Sequence, residues 1–245
     1  IDEGHRIENV AQEHLGLEIS NDQVHYLLNT LYRPDKTGTN WKGFLTSLKG
    51  GKVAECRDAV QDARAATNDF FADVLEWANQ KMPKNGRIKD KSALSGLANT
   101  LTPALKKLYL TLKGLALLRK EKGAKKTGKQ SSEGGYDDTE LEAYAKRTLN
   151  FASGLESFWS VDNPNYVYWL EIKGRKRPTP RVILKSAPLK VNQILKEMLF
   201  NHIKTTILTS ATLACTAPIG IKAKPRTAKP NGVTKQNDIV AQVNP

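Results

Sequence analysis

The first five residues, Ile1-Asp2-Glu3-Gly4-His5, set two adjacent carboxylates one position short of an imidazole. Carboxylates can hold a divalent cation or polarise a water, and an imidazole can carry a proton. The competing reading is a plain acidic pair at the start of a helix, where the helix dipole favours negative charge. For His5 alone the plain reading is a surface or capping role. About 200 residues further on lies Thr206-Ile207-Leu208-Thr209-Ser210-Ala211-Thr212-Leu213-Ala214, whose hydroxyls cluster at Thr209, Ser210 and Thr212. Short motifs recur by chance, so each needs a structural context that brings it to a partner. The remaining histidines, His14, His25 and His202, have no metal-ligand spacing and read as structural.

The elements that must position these residues are legible from periodicity. Ile1 reads as the end of a buried strand, and Ile7, Val10, Ala11 and Leu15 follow at helical spacing up to a stop at Gly16. Ser20 with Gln23 forms a capping-box pattern, and the helix it opens carries Val24, Leu27, Leu28 and Leu31 before Pro34. Residues 34–51, with five Gly or Pro, read mainly as loop. A long helix is expected over about 52–81, with Val53, Val60, Phe70, Val74 and Trp77 on its apolar side. A leucine seam follows at Leu94, Leu97, Leu101, Leu105, Leu108, Leu112 and Leu115. Pro103 interrupts it, giving a kink or a new start with Thr102 as the N-cap. We read this seam as packing.

Residues 119–136 are rich in Lys, Gly and Ser and read as a flexible basic loop; another helix is expected from about Asp137. From residue 161 the pattern turns to strand. Tyr166–Ile172 and Arg181–Lys185 are β-rich runs, Ser186-Ala187-Pro188 breaks the second, Ile194–Leu199 suggest a helix, and Thr205–Thr209 a buried strand. Trp169 is expected in the strand core, although Tyr166, Tyr168 and Trp169 together could offer a stacking face. Residues 215–245 read as a disordered basic tail.

The chain has 245 residues, a formal net charge of +13 and a mean hydropathy of −0.49. That charge favours a polyanionic partner, nucleic acid above all. Only Cys56 and Cys215 are present, which excludes a disulfide framework or a cysteine-built metal site within the chain. A reducing cytoplasm is the expected compartment. No run is apolar enough for a membrane helix, and the acidic start is unlike a signal peptide.

With both ends placed, the chain resembles the central part of a superfamily 2 DNA helicase of the DinG/XPD type. Asp2–His5 match the family's Asp-Glu-x-His box, with Gly4 where Ala is usual, and Thr209–Leu213 match its Thr-Ser-x-Thr-Leu motif. Leu184–Leu189 resembles the segment that precedes the second motif. The resemblance implies an α/β fold: part of a RecA-like motor domain with a few parallel strands, and a large all-helical arch-like insertion. The implied divisions are 1–19 (motor segment with the Asp-Glu-Gly-His box), 20–160 (insertion), 161–214 (motor return) and 215–245 (tail). The phosphate-binding Gly-x-x-x-x-Gly-Lys-Ser/Thr loop is missing, as is a second motor domain. The chain without a Met start is therefore expected to be a fragment, inactive by itself.

The implied activity is ATP hydrolysis coupled to translocation on single-stranded or forked DNA, in repair or replication. Asp2 would contact Mg²⁺ through water, and Glu3 would position the attacking water, with His5 beside it. His5, Thr209, Ser210 and Thr212 would couple nucleotide state to DNA movement. An iron–sulfur cluster would belong upstream of Ile1. Lys173, Arg175, Lys176 and Arg177 are candidate DNA phosphate contacts, with Lys120–Lys129 a second candidate. A monomer is expected. Two alternatives remain: a basic helical module that binds nucleic acid without ATPase activity, and a purely structural or protein-interaction helical bundle.

Overall fold

The computed structural model describes residues 3–124, 133–176 and 178–210. Asp2, Thr212, Arg177, the middle of the lysine-rich loop and the 215–245 tail lie outside the described residues. The fold is α/β, dominated by helix, with a small antiparallel sheet.

Helix α1 (Ile7–Leu15) stops at Gly16, and a chain reversal leads into strand β1 (Leu17–Ser20). A Cβ on Gly16 would stand 2.6 Å from the Ser186 carbonyl oxygen and 2.7 Å from that of Gln12, so only glycine fits where the helix meets the sheet. Helix α2 (Asn21–Leu31) opens on the expected capping box. The Ser20 hydroxyl accepts from the Gln23 N–H at 3.3 Å, and the Gln23 amide oxygen accepts from the Ser20 N–H at 2.9 Å. Its other end is closed by Arg64, which donates to the Tyr32 carbonyl and the Asn29 side chain, each at 2.6 Å.

Residues 34–51 are more ordered than a plain loop. A two-residue ladder pairs β2 (Arg33–Pro34) with β3 (Trp41–Lys42), and Trp41 stacks on Tyr32 with ring centroids 4.4 Å apart. A single turn, α3 (Phe44–Ser47), leads to α4 (Gly51–Lys81). The expected apolar side of α4 is buried in full: Val53, Val60, Phe70, Val74 and Trp77, with Ala63 and Thr67 between them.

Strand β4 (Arg87–Ile88) then joins the sheet, so the segment expected to be all helical contributes an edge strand. The leucine seam packs as expected, with Leu101, Leu105, Leu108 and Leu112 fully buried on α5 (Leu101–Ala124). Its start is two residues earlier than expected. The Asn99 side chain, a better cap than Thr102, accepts from the Thr102 N–H at 3.1 Å, and Pro103 falls in the first turn, where its missing N–H leaves no bond unmade. Helix α6 (Glu133–Ser160) begins before Asp137 and packs along α5.

Strands β5 (Tyr166–Lys173) and β6 (Arg181–Pro188) form a hairpin, giving the order β1-β6-β5-β4. Every strand pair among the described residues is antiparallel, where the resemblance implied a few parallel strands. The expected break at Ser186-Ala187-Pro188 is absent: Pro188 is the last strand residue, opposite Tyr166, where no ladder donor is required. Helix α7 (Val191–Met198) follows, and α1 packs on both α7 and β6. The Thr205–Thr209 run is not assigned as a strand, and its apolar side chains are exposed, with Ile207 at 71%. A buried strand needs cover on both faces, and Leu208 at 43% exposure lacks that cover as well.

One continuous core joins α2, α4, α5 and α6 to the inner face of the sheet, from Leu28 and Phe70 through Phe158 to Tyr168 and Leu184. Asn21 ties α2 to β6 directly. Its amide nitrogen donates to the Pro180 carbonyl at 3.0 Å and its oxygen accepts from the Val182 N–H at 3.2 Å.

Candidate functional site

Residues Glu3–His5 and Thr209–Ser210, more than 200 positions apart, are in direct contact. The Gly4 N–H donates to the Thr209 carbonyl at 2.8 Å, and His5 Nδ1 lies 2.6 Å from Ser210 Oγ. Glu3 Oε2 is 3.0 Å from His5 Nδ1 and accepts from Ser210 Oγ at 3.4 Å. Acid, imidazole and hydroxyl thus form a three-membered polar cluster that is partly open to solvent.

The local chain explains how the cluster is presented. Glu3 adopts a left-handed backbone conformation, φ 51° and ψ 48°, which is uncommon for a residue with a Cβ. That turn sends the chain into a single 3-10 turn, Gly4–Arg6, closed by the Arg6 N–H on the Glu3 carbonyl at 2.8 Å, and the turn runs straight into α1. Gly4 is buried. A Cβ there would lie 3.1 Å from Leu208 Cβ, tight enough to require Leu208 to give by a few tenths of an ångström.

Beside the cluster, a groove of about 420 Å³ runs between α1 and the outer face of the sheet, bounded by Arg6, Asn9, Gln12, Trp169 and Lys185. Trp169 is here rather than in the strand core. Side chains alternate along β5, so Tyr168 and Leu170 turn inward at 4% and 3% exposure and Trp169 turns outward. The three aromatics therefore do not share one stacking face. The Trp169 indole N–H donates to Glu171 at 3.0 Å. That bond is the largest influence holding the Glu171 carboxyl below its ordinary range, with Lys185 adding to it. Lys185 bridges Glu18 at 3.3 Å and Glu171 at 3.4 Å, linking β1, β6 and β5 across this face.

The expected DNA contacts Lys173, Arg175 and Lys176 are exposed around the β5–β6 turn. Lys173 is 3.7 Å from Glu171, and Arg175 reaches the Asn79 side chain at 3.5 Å. Lys120 is paired with Glu142, which ties the described start of the lysine-rich loop into the α5–α6 pair. Among the described residues no group of three or more His, Cys, Asp or Glu side chains is arranged to hold a metal ion, and no helix is long and apolar enough to cross a membrane. The groove and the left-handed turn at Glu3 were missed in the sequence. The outward alternation of Trp169 against Tyr168 and Leu170 was a usable signal for the first; the second carries none.

No family model matches the chain. It is 25% identical over 233 residues to the 3'-5' exonuclease DinG of Bacillus subtilis (strain 168), an alignment covering 87% of this chain and 24% of that protein. The chain thus spans about a quarter of the length of the relative it matches. This distant similarity extends along most of the chain, including the helical middle, and relates it to a DinG-type, helicase-related protein.

Proposed function

We propose that the chain is the central part of an ATP-dependent DNA helicase of the DinG/XPD type. In this reading, residues 1–19 and 161–214 belong to one RecA-like motor domain, and residues 20–160 form its arch-like insertion. The observation that carries it is the meeting of Glu3–His5 with Thr209–Ser210, the two motif segments, through the 2.6 Å His5–Ser210 contact and the Gly4–Thr209 backbone bond.

The donor set suits phosphoryl transfer to water. That reaction needs positioning and charge neutralisation more than covalent help. Glu3 offers a carboxylate with its side chain 52% exposed, an oxygen acceptor open to a water nucleophile. Magnesium with ATP would neutralise the phosphate charge, held through water by Asp2 and by a phosphate loop from elsewhere in the protein. Glu3 would orient the attacking water and accept its proton. His5 lies between that acid and Ser210, so a shift of the Thr209–Ser210 segment would move the imidazole against the catalytic carboxylate. This is a direct physical route by which Thr209, Ser210 and Thr212 couple hydrolysis to movement along single-stranded DNA. Lys173, Arg175, Lys176 and Arg177 would bear on the DNA backbone. A soluble, cytoplasmic setting, a monomeric state and a role in repair or replication follow from this reading.

The test uses the longer protein that contains the phosphate loop. Glu3→Gln should lower the DNA-stimulated rate of ATP hydrolysis by about 100-fold or more with ATP binding retained, a loss of about 3 kcal/mol in transition-state stabilisation. Ser210→Ala should spare most hydrolysis and abolish unwinding. A Glu3→Gln protein hydrolysing ATP at the parental rate overturns the reading.

A further inference from the structure

Five cations, Lys81, Lys84, Arg87, Lys89 and Lys91, fall within residues 81–91, with Asp90 the single acid among them. Asp90 is turned onto its own chain, where its carboxylate accepts from the Ser92 and Ala93 N–H groups. All five cations are exposed. The fold carries the residues before β4 to the basic β5–β6 turn, while Lys89 and Lys91 continue along β5 the other way. Arg87 pairs with Trp169 and Ile88 with Tyr168 in an antiparallel ladder, so the residues before β4 run alongside the end of β5 at Lys173. Gly86 fastens the crossing, its carbonyl accepting from the Leu170 N–H at 2.9 Å. At the same end, Arg175 reaches back to Asn79 near the close of α4.

Several cations elsewhere are neutralised: Lys52 by Glu55, Lys106 by Glu156, Lys107 by Asp62, Lys120 by Glu142, and Lys185 by Glu18 and Glu171. Here, none of Lys81, Lys84, Arg87, Lys89, Lys91, Arg175 and Lys176 has an ion-pair partner among the described residues. Charges on an edge strand also deter strand-to-strand aggregation, and β4 is an edge. One or two suffice for that purpose; a strip of unpaired cations drawn from two distant segments repels itself and calls for a polyanion.

We propose that residues 81–91, together with Lys173, Arg175 and Lys176, form one basic surface that binds the phosphate backbone of single-stranded nucleic acid. The strip follows a strand and its neighbour, about 10 Å across for two strand spacings, a width suited to one phosphodiester chain. A groove of about 590 Å³ bounded by Lys84, Arg87, Lys89 and Ser92 lies along it. Contacts of this type are independent of base sequence and release counterions, so affinity falls as salt rises. The inference rests on the nucleic-acid-binding part of the proposed function and not on ATP hydrolysis, so loss of the ATPase reading leaves it standing.

The experiment is fluorescence anisotropy of the 245-residue chain with a labelled oligothymidylate and with a duplex of equal length, titrated across a range of salt. The Lys84→Gln/Arg87→Gln/Lys89→Gln variant should bind the single strand at least ~10-fold more weakly, and its log–log salt slope should be shallower by about 2, from three lost contacts at ~0.7 each. The equal-charge comparison Lys52→Gln/Lys106→Gln/Lys107→Gln, at ion-paired sites, should lose less than ~3-fold with its slope little changed. Single Lys84→Gln and Arg87→Gln variants, exposed positions that leave the core untouched, should each flatten the slope by ~0.7. Equal weakening by the two triple variants, an unchanged slope, or duplex binding as tight as single-strand binding each overturns the proposal.

Discussion

Replacing Gly86 with Ala tests the junction on which both the sheet edge and the basic surface depend. Gly86 has φ +68°, and a Cβ built on it would stand 2.3 Å from the Leu170 carbonyl oxygen. The left-handed conformation costs a residue with a Cβ about 1–2 kcal/mol. The collision is with backbone, so β4 must move off β5, and the 2.9 Å bond from the Leu170 N–H to the Gly86 carbonyl is lost with it. A lost hydrogen bond contributes about 1 kcal/mol more. The sum is about 3 kcal/mol, which for a chain of this size lowers Tm by roughly 6–12 °C. Gly38→Ala is the internal control. Its φ is +74°, but nothing lies within 4 Å of the added methyl, so it should cost only the backbone part. Urea or thermal unfolding followed by circular dichroism gives both values. Equal losses for Gly86→Ala and Gly38→Ala would refute the steric argument, and a Gly86→Ala loss below about 0.5 kcal/mol would refute the register itself.

Three further outcomes follow from the same geometry. Gly4→Ala should be tolerated, with less than about 1 kcal/mol lost in a urea melt, because the Leu208 side chain it meets is half exposed and lies on irregular backbone; a loss above about 3 kcal/mol would contradict that. Cys56 is fully buried, and burial pushes its thiol up to about 11, so in a Cys215→Ser background at pH 8 roughly a thousandth is thiolate. Thiol reagents should therefore label it only on unfolding, and rapid native-state labelling would show the site to be open. His25 is held below the ordinary histidine range, first by burial and then by Arg64, with Asp22 opposing. A histidine with a lowered folded pKa gives stability that is complete above about pH 6.5 and is lost as pH falls below it. His25→Gln should flatten that acid limb of the stability curve, and an unchanged limb would assign the loss to other groups.

The helices were legible because their information is local. The Ser20–Gln23 box, the α4 apolar side and the leucine seam each follow from spacing along one segment, and each is buried or capped as that spacing requires. What escaped was non-local. Strand β4 is two residues long and exists only because β5 lies beside it, and the direction of each strand pair depends on how the chain returns to the sheet. Thr205–Thr209 carries a buried strand's composition, yet Ile207 and Leu208 are left largely exposed. For Trp169, period-two alternation set its direction, but which face meets the helices is decided by Tyr168 and Leu170 packing against Phe158 and its neighbours. The candidate site was legible in another way. No local rule joins His5 to Ser210; pairing two motifs did. Its detailed geometry, above all the left-handed turn at Glu3, belongs to the folded chain.

The most direct measurement is a disulfide cross-link between the two motif segments. With Gly4→Cys and Leu208→Cys in a Cys215→Ser background, the Cβ positions stand 3.1 Å apart and need only a small opening to reach disulfide distance. Mild oxidation should give a nearly complete, reducible intramolecular cross-link joining the peptides around residues 4 and 208, read by mass spectrometry. Cross-linking no faster than that of a Gly4→Cys/Tyr26→Cys control would show that the Asp-Glu-Gly-His and Thr-Ser-Ala-Thr segments do not meet, and the split motor site would fall with them.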